Sequence, residues 1–149
     1  MTNTQTKQII LAEDDEDDTQ FFESALNCIS DPPELIHARD GVELTIILRE
    51  LENLPDVVFI DLNMPRKNGA QCLQEIREAE AFKDLPVVVL STTSNQDVID
   101  AVYHSGANLY VQKPSDMQSW KNAIAKVLSL DWNIHCPHAV KERFYFKDF

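Results

Sequence analysis

Basic side chains are scarce in this 149-residue chain, which has 13 Lys and Arg against 25 Asp and Glu and a net charge of −12. A nucleic-acid backbone and an anionic membrane surface both attract positive charge, so neither is expected as a direct partner. No apolar run approaches the roughly 18 residues of a membrane span, and residues 1–8 lack the apolar core of a signal peptide. We therefore expect a cytoplasmic protein.

Cysteine is also rare, and the three cysteines (Cys28, Cys72 and Cys136) are far apart and lack metal-ligand spacing. They are expected to be reduced thiols. No period of 20 to 50 residues repeats and no linker divides the chain, while the hydrophobic content of 44% is ordinary for a globular core. These features predict a single domain over residues 1–149.

One short apolar run, Val57-Val58-Phe59-Ile60, ends directly at Asp61. Four such residues are too few for an ordinary helix and are typical of a strand buried on both faces. Pro65 and Asn68-Gly69 then indicate a loop. Asp61 is therefore expected at the edge where open α/β sheets bind ligands. Taken alone, this position is compatible with a ligand-binding carboxylate or with a cap for the next turn.

Strand and helix patterns alternate along the rest of the chain. Short apolar runs predict strands over 9–12, 35–38, 57–60, 87–90 and 109–111. An amphipathic helix is predicted after each strand, the first over 16–29 and the third over 70–79. Asp40 with Glu43, and Ser115 with Gln118, have the spacing of capping boxes before the second and fifth helices. Because parallel strands joined by helices cross over right-handedly, this order predicts a doubly wound parallel sheet.

Charged and hydroxyl side chains collect at one edge of that sheet, where the carboxyl ends of the strands meet. Glu13 and Asp14 follow the first strand, Asp61 the third, Ser91 the fourth and Lys113 the fifth. Two carboxylates about 4 Å apart repel by roughly 4 kcal/mol at an effective dielectric constant of 20. A hard cation such as Mg²⁺ suits these oxygen ligands, and a cation, a lysine and a hydroxyl suit a transferring phosphoryl group. A solvated acidic rim would not explain the lysine and the hydroxyl.

The chain resembles the receiver domain of two-component response regulators over about residues 7–130. The matching segments are Glu13-Asp14, Ile60-Asp61-Leu62-Asn63-Met64-Pro65, Leu90-Ser91-Thr92 and Tyr110-Val111-Gln112-Lys113-Pro114. The resemblance implies a flavodoxin-like (βα)5 fold with a doubly wound, five-stranded parallel sheet in the order 2-1-3-4-5. Residues 131–149 would form a C-terminal extension.

The resemblance also implies a role for each matched residue. Asp61 would be the phosphoacceptor, receiving its phosphoryl group from a sensor histidine kinase or a histidine phosphotransfer protein. Asp14, Asp61 and the backbone carbonyl of Asn63 would bind Mg²⁺, with Glu13 acting through water. Asp15 is an extra acid beside this set, expected to be solvated or to cap the first helix.

Phosphoryl binding and switching are implied for a second group of residues. Ser91, Thr92 and Lys113 would bind the phosphoryl group, and Tyr110 would turn inward after Ser91 as the switch aromatic. Asn63 and Thr93 would tune the lifetime of the aspartyl phosphate, since they flank the path of an attacking water. Thr93 lacks a carboxylate or amide to orient that water, so an intermediate lifetime is expected.

The residues after the last helix number only about 20, too few for an output domain. A stand-alone receiver is therefore expected, acting by partner binding, dimerisation or phosphorelay. This tail is rich in aromatic residues, namely Trp132, Phe144, Tyr145, Phe146 and Phe149. It is expected to pack across a homodimer that uses the face of helix 4, strand 5 and helix 5, or onto the kinase; the alternative is that it folds back on its own domain. The tail and the Pro-rich loop resemble small receivers paired with phytochrome-type kinases.

Two other functions fit the sequence less well than a receiver does. A Mg²⁺-dependent phosphohydrolase with Asp61 as nucleophile is the alternative, but such enzymes usually place a second Asp two residues on, where this chain has Asn63. A flavin-binding protein would need a phosphate loop rich in Ser, Thr and Gly after the first strand. The acidic residues over 13–18 exclude that loop because they repel phosphate.

Overall fold

The computed structural model describes residues 8–130 and 144–147. Strands and helices alternate along them as β1 Gln8–Ala12, α1 Glu16–Asn27, β2 Glu34–Ala38, α2 Gly41–Glu50, β3 Val57–Asp61, α3 Gly69–Glu78, β4 Val87–Ser91, α4 Gln96–His104, β5 Leu109–Gln112, α5 Met117–Leu128 and β6 Tyr145–Phe146. A short 3₁₀ turn, Glu80–Phe82, precedes β4. All five predicted strands and helices are present. Within the described ranges, no helix has the length and apolar content needed to cross a membrane.

The strands form one parallel sheet in the order β2-β1-β3-β4-β5-β6. The predicted flavodoxin-like order of the first five strands is confirmed. Every residue of β3 and β4 is buried, as their continuous apolar runs indicated. The sixth strand, at the outer edge of β5, was not predicted.

Apolar side chains bury both faces of the sheet. On one face, α2, α3 and α4 cover the sheet with buried side chains such as Leu44, Leu73 and Ile99. On the other face, α1 and α5 pack through Phe22 and Trp120, and the Phe22 ring meets Phe59 of β3 edge-on at 4.9 Å. Burial on both faces fixes the strands in register, so the side chains that follow them converge at one edge.

Helix caps account for several of the acidic residues. The Asp15 side chain accepts a hydrogen bond from the backbone of Asp18 and caps α1, one of the two roles expected for it. Asp40 caps α2 in the same way. The predicted capping box of Ser115 and Gln118 is wrong, because Asp116 is the N-cap of α5. Ser and Asp are about equally good N-cap residues, so the sequence alone does not decide whether Ser115 or Asp116 caps the helix.

Part of the C-terminal tail lies on the chain's own sheet. The backbone N–H of Tyr110 in β5 donates to the Phe144 carbonyl at 2.9 Å, and Phe144 is 1% exposed. The described part of the tail therefore folds back on its own domain, which was the alternative to packing across a homodimer or onto the kinase. Trp132 and Phe149 lie outside the described residues, and the homodimer remains a prediction.

Candidate functional site

Backbone pairing at the strand ends brings the predicted site together. Glu13 follows β1 and donates its N–H to the carbonyl of Ala38 at the end of β2. Lys113 follows β5 and donates its N–H to the carbonyl of Ser91, the last residue of β4, at 2.8 Å. Asp61 is the last residue of β3, between these two pairs. The site is thus a direct consequence of where the buried strands stop.

Three carboxylates form an oxygen-rich cluster at this edge. Glu13 and Asp61 are almost fully buried, whereas Asp14 is exposed. One oxygen from each lies within 4.8 Å of the others. Among the described residues, buried Glu13 Oε1 accepts no well-oriented hydrogen bond, although the Lys113 ammonium lies 3.0 Å from it. An incompletely satisfied, all-oxygen cluster with this charge fits a hard divalent cation.

Burial makes Glu13 an unfavourable place for an isolated negative charge. Removal from water and, next in size, the neighbouring Asp61 carboxyl together raise the pKa of Glu13 to about 8, although the Lys113 ammonium opposes the shift. A divalent cation would offset the repulsion between the Glu13 and Asp61 carboxylates, because it adds positive charge beside both of them.

Lys113 contacts three carboxylates and has only 7% of its side chain exposed. Its Nζ lies 3.2 Å from Asp61 Oδ1, 3.0 Å from Glu13 Oε1 and 2.8 Å from Asp18 Oδ2. The Glu13 contact is ionic, whereas Lys113 donates a hydrogen bond to Asp18. Burial lowers the pKa of Lys113, but these carboxylates outweigh it and hold the pKa above the ordinary lysine value, so the side chain stays charged.

Asp18 is the site residue that the sequence interpretation missed. It lies in the first turn of α1, four residues after Asp14. Its spacing of four residues from Asp14 within the acidic run could have indicated this position. The first turn of the helix that follows β1 lies over the same edge of the sheet. The resemblance alone assigned no role to Asp18.

The two predicted switch residues are both buried and are linked through one residue. Ser91 Oγ accepts a hydrogen bond from Thr93 N at 3.2 Å, and Tyr110 donates its hydroxyl proton to Thr93 O at 2.8 Å. Burial raises the pKa of Tyr110. Thr92 is exposed, and the Thr93 hydroxyl accepts from Asn95 N in the turn before α4. This backbone link between Ser91 and Tyr110 was not predicted.

The loop after β3 holds Asn63 close to Asp61. Asn63 N donates to Asp61 Oδ1 at 3.4 Å, while the residue itself is exposed. Gly69 allows the loop to return this closely, because a Cβ there would lie 2.6 Å from the Asp61 carbonyl and 2.8 Å from Leu62 Cα. The Asn63 carbonyl is therefore carried on a loop fixed against the central carboxylate.

Comparisons with known proteins identify the family. The family model for the response regulator receiver domain matches residues 9–125. The response regulator Rcp1 of Synechocystis sp. is 35% identical over 117 residues, which cover 75% of this chain and 80% of Rcp1. The chain therefore belongs to the response regulator receiver domain family. Members are signalling domains that accept phosphoryl groups from histidine kinases, so the phosphohydrolase alternative is not favoured.

Solved structures agree with this assignment. The phosphorylated cyanobacterial phytochrome response regulator RcpA superposes with a TM-score of 0.76 at 33% identity, covering 82% of this chain and 91% of RcpA. The Mn²⁺-bound form of Rcp1 gives a TM-score of 0.75 at 30% identity, covering 83% and 95% of the two chains. The cluster of Glu13, Asp14 and Asp61 fits the divalent-cation site of such receivers.

Proposed function

We propose that Asp61 is the phosphoacceptor of this receiver, taking its phosphoryl group from a phosphohistidine of a sensor kinase or phosphotransfer protein. The observation that carries the proposal is the contact of 3.2 Å between the buried Asp61 carboxylate and the charged Lys113. A buried carboxylate with a fixed ammonium beside it is a nucleophile in a setting that stabilises the charge of an arriving phosphoryl group.

In the transfer step, an Asp61 carboxylate oxygen bonds to phosphorus while the phosphorus–nitrogen bond to the histidine breaks. The electron pair of that bond stays on the imidazole nitrogen. Lys113 and Ser91 would donate hydrogen bonds to the phosphoryl oxygens. Thr92, in the exposed turn after β4, would also bind the phosphoryl group. Self-phosphorylation from small donors and autodephosphorylation are the only reactions proposed for the chain itself.

Mg²⁺ is the cation we propose for the acidic cluster. Asp14, Asp61 and the Asn63 carbonyl would hold it directly, and Glu13 through water. When bound, the cation neutralises charge on the carboxylates and phosphoryl oxygens. Asn63 is exposed and Thr93 is half-buried. We propose that both residues flank the path of an attacking water and set the lifetime of the aspartyl phosphate.

A phytochrome-type histidine kinase is the partner class that the relatives support. RcpA is a cyanobacterial phytochrome response regulator, and RtBRR, at 32% identity and a TM-score of 0.70, is a bacteriophytochrome response regulator. We propose that this chain receives its signal from a kinase of that class in the cytoplasm. The face formed by α4, β5, α5 and the tail would bind a second copy of the chain.

Intact mass measurement after incubation with Mg²⁺ and acetyl phosphate tests the function. The receiver function predicts the addition of one phosphoryl mass per chain, with no addition when EDTA is present. Rapid release of phosphate without accumulation of the modified chain would favour the phosphohydrolase. Failure of the chain to be modified by either acetyl phosphate or a phosphorylated histidine protein would contradict the proposal.

Replacing Asp14 by Ala should weaken Mg²⁺ binding by at least about tenfold, since even residues that only support metal ligands commonly cost that much. Phosphorylation should slow in parallel at limiting Mg²⁺. The melting temperature without Mg²⁺ should be unchanged or higher, because the substitution removes one of three mutually repelling carboxylates. Calorimetric Mg²⁺ titration measures the effect, with Asp17→Ala on the exposed side of α1 as the control. An unchanged titration would show that Asp14 is not a ligand.

A further inference from the structure

The shortest ion-pair contact of Lys113 is with a residue outside the acidic cluster. Lys113 Nζ lies 2.8 Å from Asp18 Oδ2, closer than to Glu13 or Asp61. Asp18 has 29% of its side chain exposed, whereas Glu13 and Asp61 have 1% and 6%. Of the three carboxylates around the ammonium, Asp18 is therefore the one that water can most easily solvate.

Both ends of this contact are fixed by the backbone, unlike those of most surface ion pairs. Asp18 N donates to the Asp15 side chain, which caps α1 and sets where the helix begins. Lys113 N donates to Ser91 O, which sets where the chain leaves β5. The usual cost of ordering two long side chains is reduced here, since one partner is the short Asp side chain and the other is nearly buried.

An ammonium group has three protons to donate, and three carboxylates already surround that of Lys113. An arriving phosphoryl group on Asp61 needs at least one of these protons for its own oxygens. The contact with Asp18 is the least costly to give up, because water can replace the lost partner on its exposed side. Until it is given up, Asp18 also places a negative charge near the incoming phosphoryl oxygens.

We propose that Asp18 is a positioning residue that holds Lys113 in the unphosphorylated site and competes with the phosphoryl group for its ammonium. The proposal rests on the function proposed above and deepens it. Asp18 would weaken the affinity of the site for a phosphoryl anion and slow phosphorylation, favouring the unphosphorylated state. The effect acts through Lys113, with no contact between Asp18 and the reacting atoms.

Asp18→Asn tests the proposal, because it removes the charge and keeps the size of the side chain. We expect beryllofluoride, a phosphoryl mimic, to bind about two- to fivefold more tightly in the presence of Mg²⁺, the range of a partly exposed ion pair. Phosphorylation by acetyl phosphate should accelerate by a similar factor. The advantage should shrink as ionic strength rises, and Asp18→Glu should return both quantities toward the wild-type values.

Asp17→Asn is the matched control. Asp17 lies in the same helical turn but is exposed, so this change alters net charge and the helix N-terminus equally without touching Lys113. Amide NMR spectra during the beryllofluoride titration measure the affinities. Weaker binding in Asp18→Asn than in the wild type, or equal changes in both variants, would overturn the proposal. If acetyl phosphate modifies no variant, the proposed function fails, and the beryllofluoride affinities still decide the role of Asp18.

Discussion

Replacing Asp61 by Asn is expected to abolish phosphoryl uptake completely, the largest functional effect of any single change in this chain. An amide lacks the anionic oxygen that attacks phosphorus, and it removes one of the carboxylates expected to bind Mg²⁺. Because Asn has the same size, β3 should keep its place between β1 and β4. The measurement is intact mass after incubation with Mg²⁺ and acetyl phosphate.

Asp56→Asn supplies the control for this experiment. Asp56 precedes β3 at the opposite edge of the sheet, where its side chain accepts a hydrogen bond from Gln8 N at 2.9 Å. An Asn side chain can accept the same bond, so the variant should be modified as fully as the wild type. If Asp61→Asn gained phosphoryl mass to the same extent, another residue would be the acceptor and the assignment of Asp61 would be wrong.

The positions of Asp61 and Ser91 were predictable because apolar runs determine where buried strands end. β3 and β4 are buried in every residue, so their ends can be read from the sequence without knowing any contact. The order of the first five strands came from the family resemblance, because the right-handed crossover rule restricts the topology of the sheet without selecting one order. The sequence did not predict which carboxylate would bond to Lys113. The first turn of α1 carries three adjacent acids, Glu16, Asp17 and Asp18, whose side chains point in different directions.

The sixth strand could not be predicted for a different reason. β6 has two residues, too few to show the period of a strand, and its pairing with β5 depends on contacts distant in sequence. The aromatic content of the tail indicated a buried contact without indicating the partner. That partner is β5, which carries Tyr110, so the tail contacts this predicted switch residue directly.

Phe144→Ala is expected to cause the largest loss of stability proposed here, about 3 kcal/mol in the free energy of unfolding. The Phe144 ring is buried against Tyr103, with ring centroids 5.1 Å apart, and against Tyr110 at 6.3 Å. If the tail detaches, the loss is limited to the free energy that docks it. Urea unfolding measures the change, and faster hydrogen exchange of the Tyr110 amide, bonded to the Phe144 carbonyl, reports detachment.

Phe146→Ala is the matched control, since Phe146 lies in β6, two residues after Phe144, and is only half-buried. Its ring lies 4.5 Å from Lys126 Nζ, a contact that contributes about 1 kcal/mol or less. Phe146 also packs, partly buried, against the core that contains Trp120. A larger loss in Phe144→Ala than in Phe146→Ala would therefore reflect the burial of Phe144 against Tyr103 and Tyr110. Equal losses would contradict that role for Phe144.

The same variant tests the proposed binding of a second copy of the chain. If phosphorylation shifts self-association, loosening Phe144 should change the size of that shift in sedimentation, because Tyr110 reaches Ser91 through Thr93. An identical shift in both variants and the wild type would exclude the described tail from that response.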